Sequence, residues 1–243
     1  MSPGGTLQID AAKTARRILF TVLWIQVAVM VGNLVFNYFD IANHISIRRI
    51  FNVAREESLP TWFASLQALL VSVTAWALWR LEETRGWLLV SLFFLYVSID
   101  DAAEVHERVA TALSDAFPSL PFLADYPSFS WHLLVAPILG AGLLAVAIYQ
   151  WRRIPTPRTR LLLVAGLAAF AVSQSFDVLE GIDGLFEGWA DDLGVADYTV
   201  SHGFRATEEW LEMLGTTAFW APMLLRLGDT VDVRVKRLKG TGI

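Results

Sequence analysis

Six long apolar runs dominate this sequence and restrict the chain to a helical fold embedded in a membrane. A helix needs about twenty mostly apolar residues to cross the hydrocarbon of a bilayer, and its backbone groups are then paired within the helix itself. A hydrophobic fraction of 55% with only 18% charged residues agrees with such a fold. The sequence predicts an all-α polytopic membrane protein, a single bundle of residues 1–243 with six transmembrane helices at about 17–39, 61–80, 86–108, 130–151, 159–181 and 205–226.

The distribution of Lys and Arg predicts the orientation of this bundle. Short cytoplasmic loops collect basic residues, and loops on the opposite side do not. With both termini in the cytoplasm, fourteen of the nineteen basic residues lie on the inner side and five on the outer side. We therefore expect a multi-pass protein of the bacterial cytoplasmic (inner) membrane. The five outer residues are Arg48, Arg49, Arg55, Arg108 and Arg205.

Composition excludes several classes of chemistry. The chain contains no cysteine, so disulfides, thiolate metal sites and cysteine nucleophiles are ruled out. A net charge of −5 argues against a nucleic-acid partner. A retinal Schiff base needs a lysine within the bundle, and the lysines are Lys13, Lys236 and Lys239. The chemistry of the protein must therefore come from oxygen and imidazole groups.

Acidic residues concentrate near the outer ends of three predicted spans. Ionisable groups inside a membrane cost about 2.5–3.5 kcal/mol each on insertion scales, so each is a functional candidate. Spacings of three or four residues place the members of each group on one face of their helix. The groups are Asp100, Glu104 and Glu107 in the third span, Asp177 and Glu180 with Ser173 in the fifth, and Glu208 and Glu212 with Gly215 in the sixth.

Polar residues of the other spans reach the same level. His132 opens the fourth span, and Gln67 lies just below the start of the second. His202 is expected at the surface, in or beside a loop, as is His44. Three acids, Asp101, Glu107 and Glu209, fit two interpretations equally: helix-end residues paired with arginines in the headgroup region, or members of a site. The first span adds a polar stripe of Asn33, Asn37, Asp40 and His44.

This excess of carboxylates over cations predicts a metal site. Protons, metal ions or water must relieve the repulsion between the carboxylates. Carboxylates with a minority of imidazoles suit a divalent metal ion such as magnesium, calcium, manganese, iron or zinc. We predict that the site lies at the periplasmic end of the bundle. The predicted metal ligands are Asp100, Glu104, Glu107, His132, Asp177, Glu180, Glu208 and Glu212, of which Glu104, Glu212 and His132 are the candidate catalytic residues.

Three functions remain open at this point. The first is a metal-dependent membrane hydrolase or oxidoreductase whose amphiphilic or lipid-like substrate enters from the outer leaflet. The second is a proton- or cation-coupled transporter, against which the sparse polar lining of the inner half argues. The third is a non-catalytic accessory subunit of a membrane complex, which predicts exposed and metal-free carboxylates.

Local signals predict helix contacts and one helix start. Gly215, Gly181 and the pair Gly140 and Gly142 are expected to permit close helix packing rather than to line a ligand. Pro60, with Ser58 as its cap, predicts where the second helix begins.

Three motifs resemble those of a family of uncharacterised bacterial six-helix integral membrane proteins. The resemblance covers most of the chain through the order and spacing of the motifs. It implies the six-helix fold and no activity. The motifs are Pro-Thr-Trp-Phe from Pro60, Asp-Asp-x4-His-Glu from Asp100, and Glu-Glu-x2-Glu-x2-Gly from Glu208.

Overall fold

The protein is helical throughout the residues that the computed structural model describes, namely 10–38, 45–117, 130–180, 182 and 184–240. No strand occurs in these ranges, which confirms the predicted all-α class. The helices are α1 (Ala11–Tyr38), α2 (Ile45–Phe51), α3 (Leu59–Glu82), α4 (Arg85–Ala103), α5 (Val105–Ala116), α6 (Ser130–Leu134), α7 (Ala136–Arg153), α8 (Pro157–Glu180), α9 (Leu185–Leu193) and α10 (Asp197–Gly240).

Four of these helices, α1, α3, α4 and α8, are long and apolar enough to cross a membrane. Large apolar side chains on them point away from the protein, and Phe20, Trp24, Leu89 and Leu161 are each at least 60% exposed. Such a surface is unfavourable in water and suits contact with lipid. These features are typical of a multi-pass membrane protein. The other two predicted spans correspond to α7 and to part of α10.

Helix α10 lies at the centre of the bundle, in contact with α1, α3, α8 and α9. Its Met213, Phe219 and Met223 are among the largest fully buried side chains. They belong to one hydrophobic cluster with Leu78 of α3 and Phe94 of α4. The packing of the other helices therefore depends on α10.

Buried amide side chains join α10 to α1 and α3 in the middle of the bundle. Gln26 Nε2 donates to Thr217 Oγ1 at 2.8 Å and to Gln67 Oε1 at 3.1 Å. Gln67 Nε2 donates to the same hydroxyl at 2.7 Å and to the carbonyl of Met213 at 2.9 Å. Because an unpaired polar group costs several kcal/mol in hydrocarbon, these bonds fix the register of the three helices.

Helices α3 and α4 form an antiparallel hairpin held by paired serines. Ser65 Oγ donates to the carbonyl of Ser98 at 2.7 Å, and Ser72 Oγ donates to the carbonyl of Ser91 at 2.8 Å. The two pairs lie seven residues apart on each helix. Small hydroxyl side chains at this spacing let the two backbones approach closely.

The predicted start of α3 is confirmed. The helix begins with Leu59 and carries Pro60 in its first turn, and Ser58 Oγ accepts the backbone N–H of Thr61 at 3.4 Å. At its other end, Glu83 adopts a left-handed conformation with φ of 54°, which turns the chain into α4.

A half-buried carboxylate gathers four helices at one end of the bundle. Glu82, in the last turn of α3, accepts hydrogen bonds from Arg226 Nε at 2.6 Å, Arg153 Nη2 at 3.1 Å and Trp87 Nε1 at 3.0 Å. Asp232 of α10 accepts the first backbone N–H of α1 at 3.0 Å. We call this end, around Glu82, the basic end. The described residues of the segments predicted to face the cytoplasm meet there, namely the start of α1, the ends of α3 and α7 and the part of α10 around Arg226.

Two predicted spans are interrupted, which corrects the continuous helices expected over 86–108 and 130–151. Glu104 has a left-handed φ of 51° and separates α4 from α5. Asp100 stabilises this break, because its Oδ1 accepts the backbone N–H of His106 at 2.7 Å in place of an intrahelical carbonyl. Val135 separates α6 from α7, just before Pro137, which has no N–H to continue a helix.

Glycine permits the closest contact between α8 and α10. A Cβ atom at Gly215 would lie 2.8 Å from the ring of Phe170 and 3.3 Å from a backbone oxygen of α8, which confirms the predicted role of this glycine. Gly142 likewise faces an aromatic ring of α4. The structure does not support the expectation for Gly140, because none of the described residues lies within 4 Å of its would-be Cβ. Gly181 lies outside the described residues.

Gly215→Ala should destabilise the protein in detergent by about 1–3 kcal/mol, because the added methyl group overpacks the contact between α8 and α10. Gly140→Ala is the matched control. It adds a methyl group to open space and exchanges glycine for a better helix former, so no loss of stability is expected. Thermal unfolding of both variants checks this prediction, and equal destabilisation by the two would contradict it.

Candidate metal centre

Three carboxylates from two helices meet at the end of the bundle opposite Glu82, which we call the acidic end. Asp177 and Glu180 share a face of α8 through their i, i+3 spacing, and Glu208 comes from the adjacent α10. One oxygen of each lies within 4.8 Å of the others. All three side chains are partly buried. We call these three residues the acidic triad.

An imidazole, a guanidinium and a fourth carboxylate surround the acidic triad. His132 Nε2 lies 3.1 Å from Asp177 Oδ2, and Arg205 Nη1 lies 3.4 Å from Glu180 Oε1. Glu212 lies one helical turn beyond Glu208. Its Oε1 accepts hydrogen bonds from Ser173 Oγ at 2.8 Å and from Gln174 Nε2 at 3.2 Å.

The electrostatics of the acidic triad favour an added positive charge. Two ionised carboxylates about 4 Å apart repel each other by about 4 kcal/mol at the effective dielectric typical of such sites. Arg205 offsets part of the repulsion through Glu180. A divalent cation or bound protons would remove the remainder. Carboxylate oxygens are preferred ligands of hard cations, and the neighbouring imidazole extends the choice to manganese, iron and zinc.

A second acidic group borders the triad on the side of α4. Asp101 and Glu209 each lie near enough to Glu212 to interact with it electrostatically, and Glu56 of the loop before α3 lies near both. The Oδ2 atom of Asp101 is buried and has no hydrogen-bond partner within the described residues. Burial and the negative charges of Glu104 and Glu107 raise the pKa of Glu56. Of the two interpretations left open for Asp101 and Glu209, these positions favour membership of a site.

The structure places three predicted ligands outside the acidic triad. Asp100 is buried. Its Oδ2 lies 2.9 Å from His106 Nδ1, and its Oδ1 accepts the backbone N–H of the same histidine. Glu104 lies at the helix break, 3.7 Å from Arg108. Glu107 is exposed. None of the three belongs to the acidic triad, and their assignment as ligands stays a prediction.

Two residues of the predicted polar stripe of α1 make structural hydrogen bonds. Asn33 Oδ1 accepts the backbone N–H of Val53 at 3.1 Å and a hydrogen bond from Asn37 Nδ2 at 3.0 Å. These bonds tie α1 to the segment that leads into α3. The other two members of the stripe, Asp40 and His44, lie outside the described residues.

Residues 18–227 match a family described as a domain of unknown function, DUF8692. The match contains the whole acidic triad and the three motifs noted in the sequence. No curated protein and no solved structure matches the chain.

The expectation that His202 lies at the surface is wrong. This histidine is only 2% exposed. Its Nδ1 lies 2.7 Å from the Tyr38 hydroxyl, and its Nε2 lies 3.1 Å from Asn52 Oδ1. A neutral tautomer satisfies both contacts, with Nε2–H donating to Asn52 Oδ1 and Nδ1 accepting from the Tyr38 hydroxyl. His202 thus connects α10 to α1 and to the segment after α2.

The contacts of His202 should weaken in acid. Burial and the positive charges of Arg205 and Arg48 lower the pKa of His202 below its ordinary 6.5. The folded state therefore binds fewer protons than the unfolded state, so this stabilisation is complete above pH 6.5 and is lost as the pH falls through the lowered pKa. We expect amide hydrogen exchange in residues 45–53 to increase between pH 7.5 and about 5, after correction for intrinsic exchange rates.

Two comparisons make this pH test specific. The exchange of α3 and α4 provides the internal reference, because the hydrogen bonds of His202 go to Tyr38 and Asn52, outside these helices. His202→Gln should remove the acid-dependent increase in residues 45–53. An identical pH dependence in the parent and in His202→Gln would show that another group is responsible.

Proposed function

This chain belongs to the DUF8692 family, a domain of unknown function, and we propose that it is a multi-pass membrane protein that binds a divalent metal ion at the acidic end of its bundle. The observation that carries the proposal is the convergence of Asp177, Glu180 and Glu208 within 4.8 Å. Partly buried carboxylates at this separation need a compensating positive charge.

The proposed membrane arrangement has six spans, contributed by α1, α3, α4, α7, α8 and α10. The excess of Lys and Arg in the segments at the basic end supports a cytoplasmic location for that end and for both termini. The acidic end then faces the periplasm of a bacterial inner membrane. An amphiphilic substrate could approach it from the outer leaflet.

The acidic triad would supply the metal ligands, with His132 and Glu212 beside it. A bound divalent ion would supply Lewis-acid chemistry or an activated water, which suits a membrane hydrolase or an oxidoreductase. In such an enzyme, Glu212 and His132 would hold or transfer protons. The hydrogen bonds from Ser173 and Gln174 position the Glu212 carboxylate for this role.

Coupled transport is a second candidate, favoured by the polar layer formed by Gln26, Gln67 and Thr217. Thr217 follows Glu212 by little more than one helical turn, so this layer begins close to the acidic groups. The fully buried side chains of Leu78 and Met223 lie between it and the basic end. This apolar layer disfavours a continuous path, and the metal-site proposal is therefore preferred.

Metal analysis of detergent-purified protein tests the proposal directly. Protein prepared without chelators and resupplied with manganese, zinc, magnesium or calcium should contain stoichiometric metal by mass spectrometry. Asp177→Asn and Glu208→Gln should each weaken metal binding by at least about tenfold, because each removes a ligand. Glu187→Gln is the matched control, since Glu187 is an exposed acid in the neighbouring α9.

A further variant separates the acidic triad from the larger ligand set predicted by the sequence. Glu104→Gln should retain metal, because Glu104 lies at the break before α5 and pairs with Arg108. Loss of metal in Glu104→Gln would extend the site toward α4. Metal-free parent protein after resupply would overturn the proposal and favour protons as the species that neutralise the carboxylates.

A further inference from the structure

A separate pocket lies near the basic end, beside the turn between α3 and α4. It has a volume of about 570 Å³ and is lined by Trp79, Arg80, Glu83, Arg85, Leu88 and Leu89. Because α3 and α4 are both candidate membrane spans, the turn between them lies at a membrane surface. The pocket thus joins a charged mouth to an apolar wall at the boundary between lipid and water.

Two arginines give the pocket its charge. Arg80 and Arg85 are both exposed, and neither forms a salt bridge within the part of the chain that the structure describes. The guanidinium of Arg80 lies 5.7 Å from the centre of the Trp79 ring, which holds it over the pocket wall. Glu83 contributes one negative charge, so the lining has a net positive charge.

The position of Arg85 is unfavourable for the helix to which it belongs. It is the first residue of α4, where the helix dipole favours an anion, and the first turn contains no acidic residue. The capping residue, Thr84, makes no side-chain hydrogen bond to the helix. An anion at this helix start would interact favourably with both the helix dipole and Arg85.

We propose that the pocket binds the phosphate of an anionic phospholipid from the leaflet at the basic end. Arg80 and Arg85 would contact the phosphate, and the partly buried Leu88 and the exposed Leu89 would contact the adjoining acyl chains. Basic pockets between membrane-spanning helices suit such headgroups. The apolar wall distinguishes a lipid phosphate from a soluble one, and the net positive charge favours an anionic lipid over a zwitterionic one. The proposal depends on membrane insertion of α3 and α4 and is independent of the metal site.

The test is a lipid titration of the full-length protein in a neutral detergent, read by native mass spectrometry. Phosphatidylglycerol is the anionic probe, phosphatidylethanolamine the zwitterionic one and inorganic phosphate the soluble one. Arg80→Gln with Arg85→Gln should weaken phosphatidylglycerol binding by about tenfold. Phosphatidylethanolamine should bind more weakly than phosphatidylglycerol, and inorganic phosphate should not displace the lipid.

Arg158→Gln with Arg160→Gln is the matched control. These are also two exposed arginines close to the same end, and Arg160 also lies over a tryptophan, at 5.0 Å from the Trp151 ring, yet neither lines the pocket. The control should bind phosphatidylglycerol as the parent does. An equal loss of phosphatidylglycerol binding in both double variants would show that the lipid responds only to general surface charge, which would overturn the proposal. Equal binding of the two lipids, or displacement by inorganic phosphate, would also overturn it.

A single substitution tests the same proposal if the double variant does not fold. Arg85→Gln removes an unfavourable interaction with the helix dipole, so the protein without added lipid should unfold at an equal or higher temperature. The increase in unfolding temperature caused by phosphatidylglycerol should become smaller in this variant. An unchanged lipid-dependent increase would contradict the proposal.

Discussion

The pairing of polar groups along the central helix α10 is the constraint on which the rest of the structure depends. In hydrocarbon, a polar side chain without a partner costs several kcal/mol, so each polar residue of α10 restricts the helix that it faces. Thr217 binds the amides of α1 and α3, and Trp220 Nε1 donates to Thr74 of α3 at 2.8 Å. Arg226 binds Glu82 where α3 ends. Together these bonds fix the axial position of α10, which in turn sets the position of its residues at the acidic end.

That axial position brings Glu208 beside Asp177 and Glu180 of α8. The contact also requires α8 and α10 to lie close together, which the small Gly166 and Gly215 permit. The acidic triad and the glycine contact are therefore parts of one arrangement. The same two helices supply the groups that hydrogen-bond Glu212, so a change in their separation would alter the ligand set and the neighbouring carboxylate together.

The two ends of the bundle differ in how their charges are compensated. At the basic end, Glu82 is surrounded by Arg153 and Arg226, and the charges compensate each other within the chain. At the acidic end, Arg205 pairs with Glu180 and also interacts electrostatically with Glu208, but the negative charge still exceeds the positive charge nearby. The excess is the reason why an external cation is proposed there. In the pocket of Arg80 and Arg85 the excess is positive, and an external anion is proposed for the same physical reason.

The sequence by itself determined the helical class, the apolar helices, the start of α3 and the layer in which polar residues concentrate, because these follow from local periodicity and from the cost of charge in lipid. It also identified all three members of the acidic triad among its predicted ligands. Only the tertiary structure decided that these three converge while Asp100 and Glu104 do not. A helical spacing shows which residues share a face and does not show which helix that face meets. The burial of His202 depends on such contacts between distant segments. The Asp100 bond to the His106 backbone and the break at Glu104 are local, but helical spacing does not reveal them because it assumes a continuous helix.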